Sequence, residues 1–193
     1  MKNQNVNQLK DLTMKTKIKV KVLTKGCMPT MLSQGDWIDL RSAETVSFIF
    51  PQAGARKIKV VDGKQVSYRN VQCEEKMIPL GVAIKLPEGF EAIMAPRSST
   101  YKDFGMIARN SIGIIDNSYC GNQDEWKFPA VALKESKKTI EKGDRICQFR
   151  IQLTQKATFW QKLKWLLSSG VELVEVDDLS DNNRGGLGST GVK

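Results

Sequence analysis

The sequence predicts an all-β fold, and three observations support this prediction. Short apolar segments follow one another with turn residues between them, at a spacing of roughly 8–12 residues. Segment 17–23, KIKVKVL, alternates apolar and basic residues, as a strand with one buried side does. Segment 158–169 breaks this rhythm with the apolar spacing of a helix. We therefore expect a β-barrel or sandwich with one short inserted helix, and not an α/β fold.

Further strands are expected wherever a short apolar run is bounded by turn residues. Residues 51–55 should form a turn, and the basic segment 56–76 alternates weakly, which suggests a hairpin. The other predicted strands are 36–43, 78–86, 90–95, 105–109, 111–115, 126–133, 145–153 and 171–176.

The predicted helix at 158–169 begins with a capping-box spacing, Thr158 and Gln161. Its apolar residues Trp160, Leu163, Leu166 and Leu167 fall on one face. We expect this face to pack on the barrel or against a neighbouring subunit. A membrane or partner surface is the alternative, because the helix is also basic.

A chain of 193 residues is long enough for one domain with a real core. We expect a single barrel domain over 1–176, in which residues 1–14 are polar, aperiodic and loosely ordered. From Asp177 the sequence loses apolar residues and becomes rich in glycine. Residues 177–193 are therefore predicted to form a mobile C-terminal arm.

The formal net charge is +9, which favours an anionic partner. The lysines are spread along the chain, with no block of the five or six like charges that is typical of a nucleic-acid tail. A basic surface with a nucleotide site is therefore the expectation, and nucleic acid is not expected as a partner.

The chain contains no histidine, which excludes Ser-His-Asp and Cys-His catalysis and histidine-ligated zinc. A catalytic base must then be Asp, Glu, Lys, Tyr or Cys. The four cysteines have no CxxC spacing and suggest reduced thiols, with Cys147 in the core. No apolar leader or membrane-spanning run is present, so we expect a cytoplasmic protein without membrane association.

The stretch 96–126 has the composition of a phosphate-ester site. Arg97 can place two donors on phosphate oxygens, and the hydroxyls of Ser98 and Ser99 can add further hydrogen bonds. Asp116 follows an apolar run and can act as a general base. The acidic pair 124–125 is expected to be solvated turn charge, with support of the site as the alternative.

Five motifs occur in order and together resemble the trimeric dUTP pyrophosphatase (dUTPase) family, in its bacterial and phage-like branch. The resemblance covers roughly residues 17–191, interrupted by the predicted helix. Its motifs are GDWIDLRSA at 35–43, PRSS at 96–99, NSIGIIDNSYCG at 110–121, GDRICQ at 143–148 and RGGLGSTG at 184–191.

The resemblance implies a distorted jelly-roll β-barrel that forms a homotrimer, with sites at subunit interfaces and a flexible C-terminal arm that closes the site of another subunit. It implies hydrolysis of dUTP to dUMP and pyrophosphate with Mg²⁺, which limits uracil in DNA and supplies dUMP for dTMP synthesis.

The resemblance also implies the role of each site residue. Asp116 would direct and deprotonate the attacking water, and Asp39 would support Mg²⁺ through water. Tyr119 would lie against the deoxyribose, while the backbone around Asn110, Gly113 and Ile115 would read uracil. The phosphate and arm contacts would come from Arg97, Ser98, Ser99, Gln148, Arg184, Leu187, Gly188, Ser189 and Thr190. The family usually has Phe where this chain has Leu187, so stacking on uracil should be weaker by roughly 1–3 kcal/mol.

Other interpretations remain open at this point. Asp116 could only cap a turn, Tyr119 could be core packing, and Arg97 could form a surface ion pair. A dCTP deaminase of the same fold has a similar Arg-Ser-Ser element, although Asp116 and Tyr119 follow the hydrolase pattern. A non-enzymatic regulator that binds nucleic acid or protein is the other alternative, because of the +9 charge and the Trp-bearing helix.

Overall fold

The structure is a computed structural model that describes residues 14–49, 51–136 and 138–184. These residues form twelve strands and two helices. The strands are β1 Thr16–Val22, β2 Thr30–Met31, β3 Ile38–Arg41, β4 Gln52–Val61, β5 Lys64–Gln72, β6 Glu75–Lys85, β7 Phe90–Pro96, β8 Met106–Ala108, β9 Gly113–Asp116, β10 Glu125–Ala132, β11 Arg145–Leu153 and β12 Val171–Glu175. The helices are α1 Thr100–Phe104 and α2 Phe159–Leu166.

Two five-stranded sheets enclose the core, which confirms the predicted all-β jelly-roll fold. Their strand orders are β12-β1-β6-β10-β8 and β2-β3-β11-β7-β9. Trp126 on β10 and Phe149 on β11 meet between the sheets, edge to face, with ring centroids 5.1 Å apart. Strand β11 buries Ile146, Cys147, Phe149 and Ile151, while Arg150 and Gln152 are exposed on the other side.

Strands β4 and β5 form a separate two-stranded sheet that is exposed along its whole length. The predicted hairpin is thus confirmed, but the predicted turn at 51–55 is wrong because Gln52 and Ala53 already pair with β5. The turn is the two-residue Asp62-Gly63 connection, where both residues have positive φ. Pro51 only precedes the strand, where its missing N–H interrupts no ladder.

Helix α2 has the predicted capping box, in which the Thr158 hydroxyl accepts from the Gln161 N–H and the Gln161 side chain returns the bond. The residue that packs on the barrel is Trp165, whose ring lies 5.0 Å from that of Phe90. The predicted packing face is instead open, since Trp160 is 74% exposed. Packing of that face on its own barrel is therefore wrong, while contact with a neighbouring subunit stays a prediction. Neither helix in the described residues could span a bilayer.

The chain after β12 stays against the barrel as far as residue 184. Leu179 is buried in the core, and the Val176 N–H donates to the Val20 carbonyl. Asn183 accepts a hydrogen bond from the Gln123 N–H. We therefore place the start of the proposed arm after Arg184 and not at Asp177; residues 185–193 lie outside the described residues.

Candidate phosphate-binding and catalytic site

A buried carboxylate on β3 holds two arginines at one end of the strands of the second sheet. Asp39 is 3% exposed and receives Arg97 Nε on Oδ1 at 2.9 Å and Arg145 Nη1 on Oδ2 at 2.9 Å. Two guanidiniums and one carboxylate leave a local net charge of +1. Asp39 fixes one edge of each guanidinium, and Arg97 Nη1 also donates to the Arg145 carbonyl at 3.3 Å. The N–H groups outside these contacts can donate to an anion.

The order of the strands explains why these side chains meet. Strand β11 lies between β3 and β7, and Gln148 is opposite Asp39 on one side and Ala95 on the other. The Gln148 amide lies at the same end of the strands, 3.4 Å from the Pro96 carbonyl. The structure thus brings together Arg97 and Gln148, which the sequence predicted as phosphate contacts, and Asp39, which it predicted as the magnesium residue.

The loop after β7 is held by a buried threonine. The Thr100 hydroxyl accepts from the Arg97 N–H at 3.0 Å and donates to the Ile146 carbonyl at 2.7 Å. Ser98 is exposed and Ser99 is half-buried, and the Ser99 side chain does not cap the short helix that follows. Both serines therefore sit on a fixed loop beside Arg97, where a phosphate oxygen can reach them.

Sequence reasoning missed Arg145, although it stands in the GDRICQ motif from which Gln148 was selected. The available signal was its position at the start of a strand that also carries Gln148. The ion pair to Asp39 could not be seen because Asp39 lies 106 residues earlier in the chain. The same pairing shows that the interpretation of Arg97 as a surface ion pair is incomplete, since its partner is buried.

A free thiol lies in the core behind this cluster. Cys147 is fully buried next to the Asp39–Arg97 pair. Burial raises its pKa well above the ordinary value of 9.0, Asp39 adds to the rise and Arg97 opposes it. This confirms the predicted core thiol, which stays protonated at neutral pH.

Asp116 ends β9 with an exposed carboxylate at the other end of the same sheet. Arg184 Nη1 donates to Asp116 Oδ2 at 3.0 Å and to the Ser118 hydroxyl at 2.7 Å. The turn after Asp116 is closed by its backbone, through the Tyr119 N–H and the Asp116 carbonyl at 3.1 Å. The carboxylate is thus not needed to cap the turn and remains available for chemistry.

Tyr119 is half-buried beside Asp116. Its hydroxyl donates to the Glu125 carbonyl at 3.0 Å. Burial raises the pKa of Tyr119, and Asp124 and Glu125 raise it further, so the phenol stays neutral. The ring also packs against the core, so the core-packing interpretation is supported for part of it, and its contact with a sugar stays a prediction.

The acidic pair 124–125 is structural, and its interpretation as solvated turn charge is wrong. Asp124 is 2% exposed, and its carboxylate accepts from the N–H groups of Gly121 and Arg184. Glu125 Oε1 accepts from the Gly81 N–H at 2.9 Å. Asp124 therefore ties the loop after Tyr119 to the segment that carries Arg184.

Of the predicted uracil-reading residues, Asn110 lies in the connection between β8 and β9, and Gly113 and Ile115 lie in β9. The Asn110 carbonyl accepts from the Ile112 N–H at 2.6 Å, and Ser111 has φ of 63°. Gly113 is buried, and a Cβ there would come within 3.1 Å of Met94 Cε. Ile115 is half-buried against the core. The backbone of this connection is therefore firmly held, as recognition by backbone groups requires.

Within one chain, the two groups of residues lie at opposite ends of the β7–β9 ladder. Asp116 pairs with Glu91 near the start of β7, whereas Arg97 follows its end. Six residues of extended chain separate those two positions, which is roughly 20 Å at about 3.3 Å per residue. A single chain therefore holds Arg97 and Asp116 far apart along β7.

The described residues contain no cluster of three or more His, Cys, Asp or Glu side chains that could hold a metal ion. Both oxygens of Asp39, the predicted magnesium residue, already accept from arginines. Asp39 is therefore a positioning residue for Arg97 and Arg145, and its water-mediated metal role stays a prediction. Leu187, Gly188, Ser189 and Thr190 lie outside the described residues.

Two jelly-roll sheets carry an arginine pair at one end of their strands and an acidic turn at the other, which makes the chain an all-β protein with a candidate anion site. The dUTPase family model matches residues 65–164 of the chain. The chain belongs to the dUTPase family. It is 48% identical over 162 residues to the SPbeta prophage-derived deoxyuridine 5'-triphosphate nucleotidohydrolase YosS of Bacillus subtilis, covering 84% of this chain and 88% of that protein.

Another relative agrees with this assignment, and solved structures agree with the fold. A deoxyuridine 5'-triphosphate nucleotidohydrolase of Finegoldia magna is 38% identical over 118 residues, covering 61% of this chain and 72% of that protein. The fold matches the crystal structure of dUTPase from Streptococcus mutans with a TM-score of 0.51 and 17% identity, covering 69% of this chain and 91% of that one. It matches the dUTPase of Staphylococcus bacteriophage 80alpha with a TM-score of 0.51 and 21% identity, covering 74% and 93%.

Proposed function

We propose that this protein is a dUTP diphosphatase that hydrolyses dUTP to dUMP and pyrophosphate. The observation that carries the proposal is the Asp39 carboxylate with Arg97 and Arg145 at 2.9 Å, which forms an anion site beside Ser98, Ser99 and Gln148. Membership of the dUTPase family supplies the substrate class. The expected consequence in the cell is less uracil in DNA and more dUMP for dTMP synthesis.

The triphosphate binds at the arginine end of the site. Arg97 and Arg145 supply positive charge, the hydroxyls of Ser98 and Ser99 donate to phosphate oxygens, and the Gln148 amide adds a neutral donor. Such chemistry depends on positioning and charge neutralisation more than on a covalent intermediate. Asp39 contributes by keeping both guanidiniums in place before substrate arrives.

Asp116 is the general base. It accepts a proton from a water molecule whose oxygen forms a new bond to the α-phosphorus, while the bond from that phosphorus to the bridging oxygen breaks and pyrophosphate leaves. Among the described residues, Arg184 engages only Asp116 Oδ2, so Oδ1 is available for the proton. Ser118 shares the same arginine and helps to hold it.

Tyr119 gives selectivity for deoxyribonucleotides in this proposal. Its half-buried ring, held by the hydrogen bond to Glu125, lies against the deoxyribose and leaves no room for a 2′-hydroxyl. Uracil is read by the backbone around Asn110 and along β9 at Gly113 and Ile115, with the Asn110 amide assisting. A fixed set of donors and acceptors pairs with uracil and mismatches the amine of cytosine.

Magnesium is the proposed cofactor, and it would reach the site on the phosphate oxygens of the substrate. The described side chains offer no cage for it, which fits an ion that keeps several waters and takes few protein ligands. When bound, it neutralises charge on the triphosphate. Asp39 would support it through water, because both of its carboxylate oxygens already accept from arginines.

We propose that the active form is a homotrimer with sites at subunit interfaces. The roughly 20 Å of strand between Arg97 and Asp116 in one chain supports this, since a nucleotide cannot bridge them with its reacting atoms in place. Residues 185–193 would then form an arm that closes a site, with Leu187, Gly188, Ser189 and Thr190 near the nucleotide. Arg184 contacts Asp116 of its own chain, so the arm starts from a catalytic turn.

A pyrophosphate-release assay with magnesium tests the proposed function. We expect turnover of dUTP to exceed that of dCTP, dTTP and UTP, and addition of EDTA to abolish it. Ammonia release from dCTP would instead support a deaminase. No turnover of any of these nucleotides, by a chain that is folded by circular dichroism, would refute the enzymatic assignment.

A further inference from the structure

The β4–β5 hairpin is an unusual element, because it contributes nothing to the core. All of its strand residues are exposed, and its strands form a sheet of their own. An isolated two-stranded hairpin is marginally stable in water. The hairpin is therefore not explained by the stability of the barrel, and it includes none of the residues proposed for catalysis.

The hairpin concentrates the positive charge of the protein. Residues 52–72 contain five basic residues, Arg56, Lys57, Lys59, Lys64 and Arg69, and one acidic residue, Asp62. Their net charge of +4 is nearly half of the +9 of the whole chain. Among the described residues, none of these five basic side chains forms an ion pair.

Strand pairing sorts these residues onto two faces. Lys57 is opposite Tyr68, Lys59 is opposite Val66 and Lys64 is opposite Val61. Paired residues share a face, and alternate residues of a strand do too, so all three lysines project from the same side of the ribbon. We call this the lysine face; it carries no carboxylate from either strand. Lys59 Nζ lies 5.3 Å from the centre of the Tyr68 ring on this face.

The opposite face is also basic. Arg56 is opposite Arg69, and its Nε donates to the Ser67 hydroxyl at 2.6 Å. Cationic side chains thus project from both faces of the ribbon. This arrangement is unsuited to a membrane surface, which requires one apolar face. It is equally unsuited to pairing with the hairpin of a second copy, since that brings two charges of +4 together.

The hairpin also exposes apolar side chains, namely Ile58, Val60, Val61, Val66, Tyr68 and Val71, but its unpaired positive charge favours phosphate over a protein as the occupant. Lysine is depleted in protein–protein interfaces, whereas lysine and arginine at regular spacing are the usual contacts to a nucleic-acid backbone. Alternate residues of one strand are about 6.7 Å apart, so Lys57 and Lys59 can reach successive phosphates. The major groove of B-DNA is about 12 Å wide and admits a two-stranded β-ribbon.

We propose that the β4–β5 hairpin binds double-stranded DNA, with the ribbon in the major groove and its lysines and arginines on the phosphates of both groove walls. Ten residues of strand β4 extend about 34 Å, which is close to one turn of the duplex. This goes beyond hydrolysis of a free nucleotide and assigns a partner that the scattered lysines in the sequence did not predict.

Fluorescence anisotropy with a labelled 24-base-pair duplex tests the proposal, using the full-length protein in EDTA and without nucleotide. We expect binding that weakens steeply between 50 and 200 mM NaCl. The variant Lys57→Gln/Lys59→Gln/Lys64→Gln should lose at least about tenfold in affinity, and its salt slope should fall by about 2.7, or about 0.9 for each lost phosphate contact.

The matched control is Lys15→Gln/Lys17→Gln/Lys19→Gln, which removes the same charge from exposed positions at and before β1. It should keep most of the affinity, and both variants should hydrolyse dUTP at the wild-type rate. Equal losses in the two variants would attribute binding to net charge alone and overturn the proposal, as would no binding at 50 mM NaCl. Equal competition by a single strand of the same length would overturn placement in the groove.

Discussion

At the scale of single residues, Asp39 shows how a site can be organised by a side chain that need not touch the substrate. Its two oxygens hold two guanidiniums that come from distant parts of the chain. An arginine pair without this carboxylate would repel itself and move apart. The buried charge of Asp39 therefore serves to position Arg97 and Arg145.

Replacement of Asp39 by Asn should lower both catalytic efficiency and stability. Hydrogen bonds to charged groups contribute about 1.5–3 kcal/mol each. Because both arginines are partly exposed, we expect a total loss of about 1.5 kcal/mol, which in a chain of this length lowers the Tm by roughly 3–6 °C. We expect kcat/KM for dUTP to fall at least about tenfold. Asp36→Asn is the control, because that side chain is 84% exposed and its pair with Arg150 is 3.9 Å long. An unchanged kcat/KM in Asp39→Asn would exclude the positioning role.

Replacement of Asp116 by Asn removes the proposed base with little change in shape. We expect binding of nucleotide and Tm to be retained while kcat falls at least about 100-fold, the usual size of a general-base effect. Single-turnover kinetics with dUTP measure the chemical step directly. Ser118→Ala serves as a control, since Ser118 shares Arg184 but accepts no proton from water; near-normal turnover by Asp116→Asn would remove that residue from the base role.

The thiols give a prediction about pH. Burial raises the pKa of Cys27, Cys120 and Cys147, and the rise is largest for Cys147. Their folded forms keep the proton while the unfolded chain loses it above pH 9.0, so these groups reduce stability as the pH rises through that value and have no effect below it. We expect urea unfolding to show lower stability at pH 10 than at pH 8. In the native protein, DTNB should react quickly with Cys73 alone.

At the scale of elements, helix α2 is attached to the barrel by one face and leaves the other open. Trp165 meets Phe90, whereas Trp160, Leu166 and Leu167 are 70–79% exposed. The sequence pattern selected the open face, because it forms the larger apolar stripe. Trp165 lies outside that stripe, and the sequence alone does not show that its ring packs on Phe90.

Trp165→Ala should therefore destabilise the protein more than Trp160→Ala. Full truncation of a core Trp costs about 3–5 kcal/mol; Trp165 is only partly buried, so we expect about 2 kcal/mol, against less than about 0.5 kcal/mol for the exposed Trp160. Urea denaturation measures both. Equal losses would indicate that the open face is covered in the assembled protein, as contact with a neighbouring subunit would require.

Most strands could be predicted from alternation and turn residues, since burial of one sheet face imposes that period on the sequence. The predicted turn at 51–55 failed because Pro51 stands just outside a strand, where its effect on pairing is nil. The interpretation of Asp124 as solvated turn charge was wrong for a different reason. A charged residue shortly after Gly and Asn suggests a solvated turn, and only the fold shows that two backbone N–H groups donate to its carboxylate.

At the scale of the whole molecule, one chain holds both halves of the proposed site but keeps them apart. The β7–β9 register places Asp116 opposite Glu91, and Arg97 follows the far end of β7. In a ring of three copies, each site would combine Arg97 of one subunit with Asp116 of the next. The function is thus expected of the assembly and not of any single barrel.

Mixing two inactive variants tests this arrangement. Arg97→Ala and Asp116→Asn should each be nearly inactive alone, since each spoils every site of its own trimer. In a mixed trimer, one interface of the three receives an intact Arg97 from one variant and an intact Asp116 from the other. Random assembly of equal amounts makes about three quarters of the trimers mixed, so dUTP turnover should return to about a quarter of the wild-type value.

The same mixture distinguishes the alternative in which each chain carries a complete site. In that case no combination restores both residues to one site, and turnover stays at the level of the separate variants. Chains that are mixed after folding, without joint refolding, provide the control, because slow exchange of subunits leaves both trimers uniform. Recovery that depends on joint refolding would therefore link activity to a site shared between copies, in which Arg97 of one subunit and Asp116 of another contact the same ligand.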